Sequence, residues 1–486
     1  MEFGEAICEP GDVATPPNDP EGEDEEKAPR RVRVRISLFF DGTGNNRSNT
    51  SHRLLTEKAA NAAKKQREGR ELSDQERLTT EEEGQLANSQ RVMSAAGADT
   101  TSSYYNDYSN VSRLEKYVDG TGDGYDHYFK LYIDGIGTID SQKDSFRGNL
   151  AGTGVTGVTD RVDQALSKVI ARICKEIPSD YVIDELSVDT FGFSRGASAA
   201  RYCVYRVLHR ERRPYPKDPK LALKERLEIN NHEVEKVEVR AVGVFDTVSA
   251  LGIAYIDISD VPFLRLDSVR QAKAVLHLAA SEEYRYCFSL TNIQSATRSG
   301  KGVEIFLPGA HSDIGGGYTR ISSEDQTICE GSISPSVAEY LLENGWYSDE
   351  ELKYRKIDMG RRSIEDVVVA RQNISNQYSF IPLRIMADFA REQSLIVNGQ
   401  LSVDFEPNGI PSGLRDRIDA YVDKAKAQGG SKSEDWQTND PALRSLRHGF
   451  LHFSSRQAMG FHLRTKDAGG VLELSEKYPT RKVFNG

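Results

Sequence analysis

Between residues 31 and 40, apolar side chains (Val32, Val34, Ile36, Leu38, Phe39, Phe40) alternate with polar ones before the run ends wholly apolar. That period of two predicts a strand. It empties into Asp41-Gly42-Thr43-Gly44-Asn45-Asn46. The same reading predicts strands at 128–133, 186–193, 237–245 and 303–307. A helical period governs 159–176, where Val162, Ala165, Leu166, Val169, Ile170 and Ile173 share a face. It returns over 195–209, where Ala200, Cys203, Val204, Val207 and Leu208 do the same. A further helix, containing His277, is expected over 268–283. Strands alternating with helices predict an α/β fold, a mostly parallel sheet flanked by helices on both faces.

Outside this pattern the chain changes character. Residues 1–30 carry an acidic run, Glu21 to Glu26, and little to bury, so they read as a flexible acidic tail. Residues 48–103 hold no Phe, Trp or Tyr and many charges, which predicts a polar, mobile insertion with helix in parts such as 54–65. A glycine-rich loop at 148–157 lacks the lysine and spacing of a nucleotide loop. Beyond Tyr318 the pattern turns helical at 336–345, 381–392, 414–427 and 440–451, with a Gly- and Ser-rich break at 429–433. The expected division is therefore a tail (1–30), an α/β domain (31–320) with its insertion, and a helical C-terminal part (321–486). The most apolar stretch of that last part, 380–389, either packs against the sheet or forms a lid or lipid-facing surface. The second reading selects Ile381, Leu383 and Met386 for lipid contact.

Composition narrows the function classes. Across 486 residues, 63 basic against 74 acidic side chains leave a net charge of -11, which argues against nucleic acid as partner. No window of 18 consecutive apolar residues exists, so no spanning helix is expected and membrane contact would be peripheral. The acidic N-terminus lacks the apolar run of a signal peptide. Five scattered cysteines (Cys8, Cys174, Cys203, Cys287, Cys329) have no metal-type spacing and suit a chain made in a reducing compartment. No metal or cofactor is expected.

The candidate chemistry sits at the strand ends. Gly192-Phe193-Ser194-Arg195-Gly196 lies where the strand at 186–193 meets the helix at 195–209. A serine in so sharp a turn needs small flanking residues, and the turn presents its hydroxyl above the sheet as a nucleophile. Asp41, Asp134, Ser194, Asp246 and His311 each follow a predicted strand, and in a parallel sheet such ends share the ligand-binding edge. A serine hydroxyl needs a base, and the base an acid to orient it. Ser194, Asp246 and His311 fit the chain order Ser, Asp, His. His311, in a glycine-flanked loop, is favoured over His277, His448 and His452. Asp134 and Asp313 stay open as alternatives to Asp246, whereas Asp189 lies too near the elbow to reach around the histidine. Two backbone donors must await the oxyanion: the amide of Arg195, and one from Gly42-Thr43.

Four blocks together carry a resemblance: residues 39–46, 192–197, 243–247 and 308–318. In this order they resemble the first family of type VI secretion lipase effectors, bacterial toxins with an α/β-hydrolase catalytic domain. The likeness spans roughly 31–320. It implies a phospholipase A acting on membrane glycerophospholipids in the periplasm of a rival cell, with Ser194, Asp246 and His311 as triad. It further implies a neutralising immunity protein and a secretion spike or adaptor. Two other readings stand beside it. One is a hydrolase of soluble esters or thioesters with the same triad. The other is a non-catalytic protein holding a hard cation in the loops 41–45 and 134–138.

Overall fold

The computed structural model describes residues 29–96, 103–139, 157–211, 220–249, 260–330, 334–358, 363–433, 436, 440–457, 461–464, 467–468, 471–472, 479 and 481–486. The tail up to residue 28 and most of the glycine-rich loop lie outside the described residues.

In chain order the strands up to residue 432 are β1 (Arg31–Phe40), β2 (Val118–Thr121), β3 (His127–Ile133), β4 (Val182–Phe193), β5 (Val234–Phe245), β6 (Ala274–Ala280), β7 (Leu290–Thr291), β8 (Gly302–Leu307), β9 (Ile321–Glu330), β10 (Leu352–Asp358), β11 (Ser363–Ser375), β12 (Leu395–Val397) and β13 (Gly430–Lys432). Seven of them form one sheet in the order β13-β8-β6-β5-β4-β1-β3. All six neighbouring pairs are parallel. The chain leaves β1 for β3 on one side, then crosses to β4 on the other. This is a topological switch point, where open α/β sheets bind ligands beyond the strand ends. Register aligns those ends: Phe40 lies opposite Gly192, and Phe193 opposite Phe245.

Both sheet faces are buried. Val32, Val34, Ile36, Leu38 and Phe40 of β1 pack into one cluster with the apolar sides of helices α1 (Val158–Glu176) and α2 (Arg195–Leu208). Phe39, Phe191, Phe245 and Leu278 point the other way, into a cluster with Trp346, Leu383, Met386, Trp436 and Phe453. The period of two in β1 thus serves two cores. On that second face Arg35 and Asp189, both fully buried, pair at 2.9 Å, so Asp189 is a structural partner of β1.

Four expectations need correction. Residues 268–283 are not one helix: a 3-10 turn at Leu266–Gln271 precedes β6, which carries His277. Ala, Val and Leu suit either state, and pairing on both sides of β6 decides for strand. The polar segment 48–103 is folded over most of its length, as helices Arg47–Arg67 and Thr80–Ala96. Ion pairs such as Lys58 to Glu82 at 2.7 Å link the two helices, and Arg53 donates to the Tyr104 carbonyl at 2.7 Å. The part beyond 320 is mixed, since β9, β10 and β11 make an antiparallel sheet in the order β10-β11-β9. Finally, helix α3 (Phe380–Glu392) buries Ile381, Leu383 and Met386, with Leu383 and Met386 fully inaccessible. Its apolar stripe covers β5: a Cβ on Gly243 would lie 2.5 Å from Met386 Sδ. These side chains are core, and their lipid-contact role falls. Among the described residues, no helix is long and apolar enough to cross a membrane.

Candidate active site

Ser194 closes β4 and starts α2, with φ 59 and ψ -126, a strained backbone for a residue with a Cβ. The elbow is held because a Cβ on Gly192 would meet Gly196 O at 2.4 Å, and one on Gly196 would meet Asp41 O at 2.2 Å. The chain can turn there only without those side chains. Ser194 N donates to Phe245 O at 3.1 Å and Val248 N to Ser194 O at 3.3 Å, so the elbow is clamped to the loop that carries Asp246.

Asp246 and His311 meet: His311 Nδ1 lies 2.5 Å from Asp246 Oδ2, with both side chains buried. Burial would push the Asp246 carboxyl up, but the Arg481 guanidinium and His311 more than reverse this and hold it far below the usual carboxylate range. Burial also lowers the His311 imidazole, with Asp246 only partly offsetting it, so the ring is neutral at neutral pH. Among the described residues neither Ser194 Oγ nor His311 Nε2 has a hydrogen-bond partner. Phe193, the residue before Ser194, contacts the histidine directly. Its ring packs on His311 at 4.6 Å between centroids. It also fills the space where Cβ atoms of Gly42 and Gly315 would fall, at 2.5 and 2.0 Å.

Three consecutive amides position the histidine loop. Gly309 N donates to Glu282 at 2.9 Å, Ala310 N to Asp313 at 2.9 Å and His311 N to Glu283 at 3.1 Å. Each carboxylate is held in turn: Glu282 by Arg447 at 2.7 Å, Asp313 by His452 at 2.8 Å and Glu283 by Arg285 at 2.7 Å. Burial would raise the Glu283 carboxyl, but Arg285 outweighs it and leaves it at about 2. Asp313 is thereby engaged with His452 and does not reach His311. His277 pairs with Glu304 at 2.8 Å and accepts from Thr247 N at 3.1 Å, and His448 pairs with Glu351 at 2.9 Å.

At the end of β1, Asp41 accepts from Tyr132 at 2.5 Å and from its neighbour Gly42 N at 2.6 Å. Burial pushes its carboxyl up to about 6, against the donors Ser109, Tyr132 and Gly42, with Asp134 adding repulsion. Asp134 therefore bears on Asp41 rather than on His311. The Gly42 amide is committed to Asp41, which leaves Thr43 as the loop's candidate oxyanion donor. Arg195 Nε reaches Thr43 Oγ1 at 2.7 Å, tying that loop to the elbow. Among the described residues no group of three or more His, Cys, Asp and Glu side chains could hold a metal ion.

Residues 202–332 match the family model described as T6SS, Phospholipase effector Tle1-like, catalytic domain. Over that stretch the chain is similar to Tle1-like catalytic domains. It contains Asp246 and His311 and begins after Ser194. No curated protein sequence matches the chain. Among solved structures, that of the Tle1 effector bound to the VgrG spike from the type 6 secretion system aligns with 97% of this chain and 99% of its own, at 20% identity and a TM-score of 0.57. This shows a shared Tle1-like fold. An uncharacterized protein from Pseudomonas aeruginosa aligns with 86% of this chain and 53% of its own, at 16% identity and a TM-score of 0.40.

Sequence reasoning missed Arg481, whose guanidinium binds both oxygens of Asp246 at 2.7 and 2.8 Å from 235 residues downstream. It also missed Glu282 and Glu283. No local period marks such partners, because an ion pair between distant segments leaves none.

Proposed function

We propose that the chain is a phospholipase A effector that hydrolyses acyl esters of membrane glycerophospholipids through Ser194, His311 and Asp246. The observation that carries this is the buried, hydrogen-bonded His311–Asp246 pair at the strand ends beside a strained elbow serine. Ser194 Oγ attacks the acyl carbonyl as His311 Nε2 takes its proton. Asp246 holds the Nδ1–H tautomer and stabilises the imidazolium. The Arg195 and Thr43 amides are assigned to the developing oxyanion. His311 returns the proton to the leaving lysophospholipid oxygen, and water then cleaves the acyl-enzyme by the same proton route.

The partly buried aromatic rings beside His311 suit an acyl chain: Phe288 stands edge-on to the imidazole at 5.1 Å, and Phe461 packs on Phe288 at 5.8 Å. These take the place of Ile381, Leu383 and Met386 in the reading of lipid contact. Likeness to the Tle1 effector solved on its VgrG spike supports delivery on a secretion spike; action in the periplasm of a target cell and a cognate immunity protein rest on the resemblance of the sequence blocks alone.

The test combines product analysis with toxicity. Purified protein on a phospholipid bearing two different acyl chains should release fatty acid, and Ser194→Ala should lose this by several orders of magnitude while folding normally. Export to the periplasm should be toxic for the wild type and harmless for Ser194→Ala. Retention of roughly a tenth of the activity would move the nucleophile elsewhere. Cleavage of short soluble esters alone would favour the soluble-ester reading.

A further inference from the structure

We infer that Arg481 is a positioning residue of the reaction centre, fixing Asp246 so that one carboxylate oxygen faces His311 Nδ1, and that the segment 481–486 is thereby part of the active site. This rests on the triad reading above.

The carboxylate of Asp246 is filled on every side. Oδ1 accepts from Arg481 Nη1 at 2.7 Å and from Ala280 N at 2.8 Å, while Oδ2 accepts from Arg481 Nη2 at 2.8 Å and faces His311 Nδ1 at 2.5 Å. A planar guanidinium that binds both oxygens sets the plane of the carboxylate, which a single donor cannot do. The guanidinium is itself anchored, with Nε on Phe288 O at 2.9 Å and Nη1 on Ala280 O at 3.0 Å. Only 7% of its side chain is exposed, and none of that of Asp246. Phe288 is also the residue whose ring stands against His311, so Arg481 braces the imidazole from two directions.

The backbone that carries Arg481 is bonded into the fold. Val483–Phe484 runs parallel to β7. Leu290 N donates to Lys482 O at 2.9 Å, Asn292 N to Phe484 O at 3.0 Å and Ser295 N to Gly486 O at 2.7 Å. On the other side of this seam Arg201, from the helix that begins after Ser194, donates to Thr291 O at 2.9 Å and Asn292 O at 3.0 Å. The nucleophile's helix and the Arg481 segment therefore meet on the same short strand.

Arg481 has a defined electrostatic consequence. The charged groups facing the pair are Arg481 on Asp246, and Glu283 with Arg285 on His311. Removing the guanidinium takes away the main counter-charge of a buried carboxylate. Asp246 then either protonates at a higher pH or presents its full charge to His311 and makes the imidazole more basic. Both move the acid limb of the reaction to higher pH.

The test is kcat/KM against pH on a short soluble ester for wild type, Arg481→Lys and Arg481→Ala, with thermal melts and with millimolar guanidinium ion added. Arg481→Ala should lose at least about tenfold, with its acid limb moved upward and part of the activity restored by guanidinium. Arg481→Lys should fall between, because one ammonium cannot span both oxygens. A uniform loss with an unmoved limb and no response to guanidinium would reduce Arg481 to a structural anchor and overturn the inference, as would unchanged activity. Should Arg481→Ala fail to fold, the limb of Arg481→Lys decides in the same way. Ser194→Ala separates the two levels. Activity surviving in it sinks the hydrolase reading, whereas a dead Ser194→Ala beside an unshifted Arg481 series sinks only this inference.

Discussion

Asp246 carries two obligations, and a substitution there disturbs both. Asp246→Asn removes the negative charge that orients His311, which should lower turnover by on the order of 10⁴ as in other triads. It also strands the buried guanidinium of Arg481 without its counter-ion, so a lower melting temperature should accompany the kinetic loss. A variant that loses turnover with an unchanged melt would show that Arg481 finds another partner. The His311 imidazole adds a pH dependence of its own. Its folded pKa lies below the ordinary 6.5 because of burial, so the unfolded chain takes up this proton first as pH falls. Stability then declines on acidification beneath about 6.5. The neutral imidazole, the form the proposed base requires, persists to a lower pH than a free imidazole would allow. A single-proton acid limb of kcat/KM below about 6.5 is expected, and a limb above it would contradict the buried, neutral ring.

The elements around the site owe their positions to what covers them. α3 supplies Leu383 and Met386 to the core beneath β5, with no exposed surface on either. Leu383→Ala should therefore cost about 2–5 kcal/mol of stability, through lost burial and the cavity left behind. Replacing Ile381, Leu383 and Met386 together by serine should unfold the protein, or reduce activity on vesicles and on a soluble ester alike. A selective loss on vesicles, measured against an unchanged melting curve, would return these residues to lipid contact. The helices Arg47–Arg67 and Thr80–Ala96 show a different means of holding an element. Asn46 caps the first, accepting from Asn49 N at 3.0 Å, and buried Asn49, Thr50 and Arg53 tie its start to the fold by hydrogen bonds.

At the scale of the molecule, the two halves of the chain share one core and one site. Phe39, Phe191 and Phe245 of the sheet lie in the same cluster as Trp346, Trp436 and Phe453, and Arg447, His452 and Arg481 reach back to hold Glu282, Asp313 and Asp246. Cutting this chain at 320 would expose one sheet face and leave all three carboxylates without these partners. Arg447→Ala tests the same dependence more gently. It strands the buried Glu282 that holds the Gly309 amide, and should destabilise by about 3–5 kcal/mol in denaturant unfolding. A change under about 1 kcal/mol would show that water or relaxation replaces the ion pair.

The sequence by itself determined what is local. The period of two in β1, β4 and β5, the helical faces of α1 and α2, and the small residues around Ser194 follow from neighbours a few positions apart, so they are legible without the fold. Parallel strands separated by helices also bring Ser194, Asp246 and His311 to one edge, because the carboxyl ends of such a sheet share it. Tertiary structure alone decided what covers what. An apolar run such as 274–280 or 380–389 says that its side chains leave water, but not whether a sheet, a helix or a lipid receives them. Pairing on two sides made β6 a strand, and the apolar face of β5 is what α3 packs against. Carboxylates carry still less local signal. Asp246, Asp313 and Asp189 look alike in sequence, and their roles diverged only when His311, His452 and Arg35 came within hydrogen-bonding distance. Charge acts through space, so the partner that most shapes Asp246 lies 235 residues away from it.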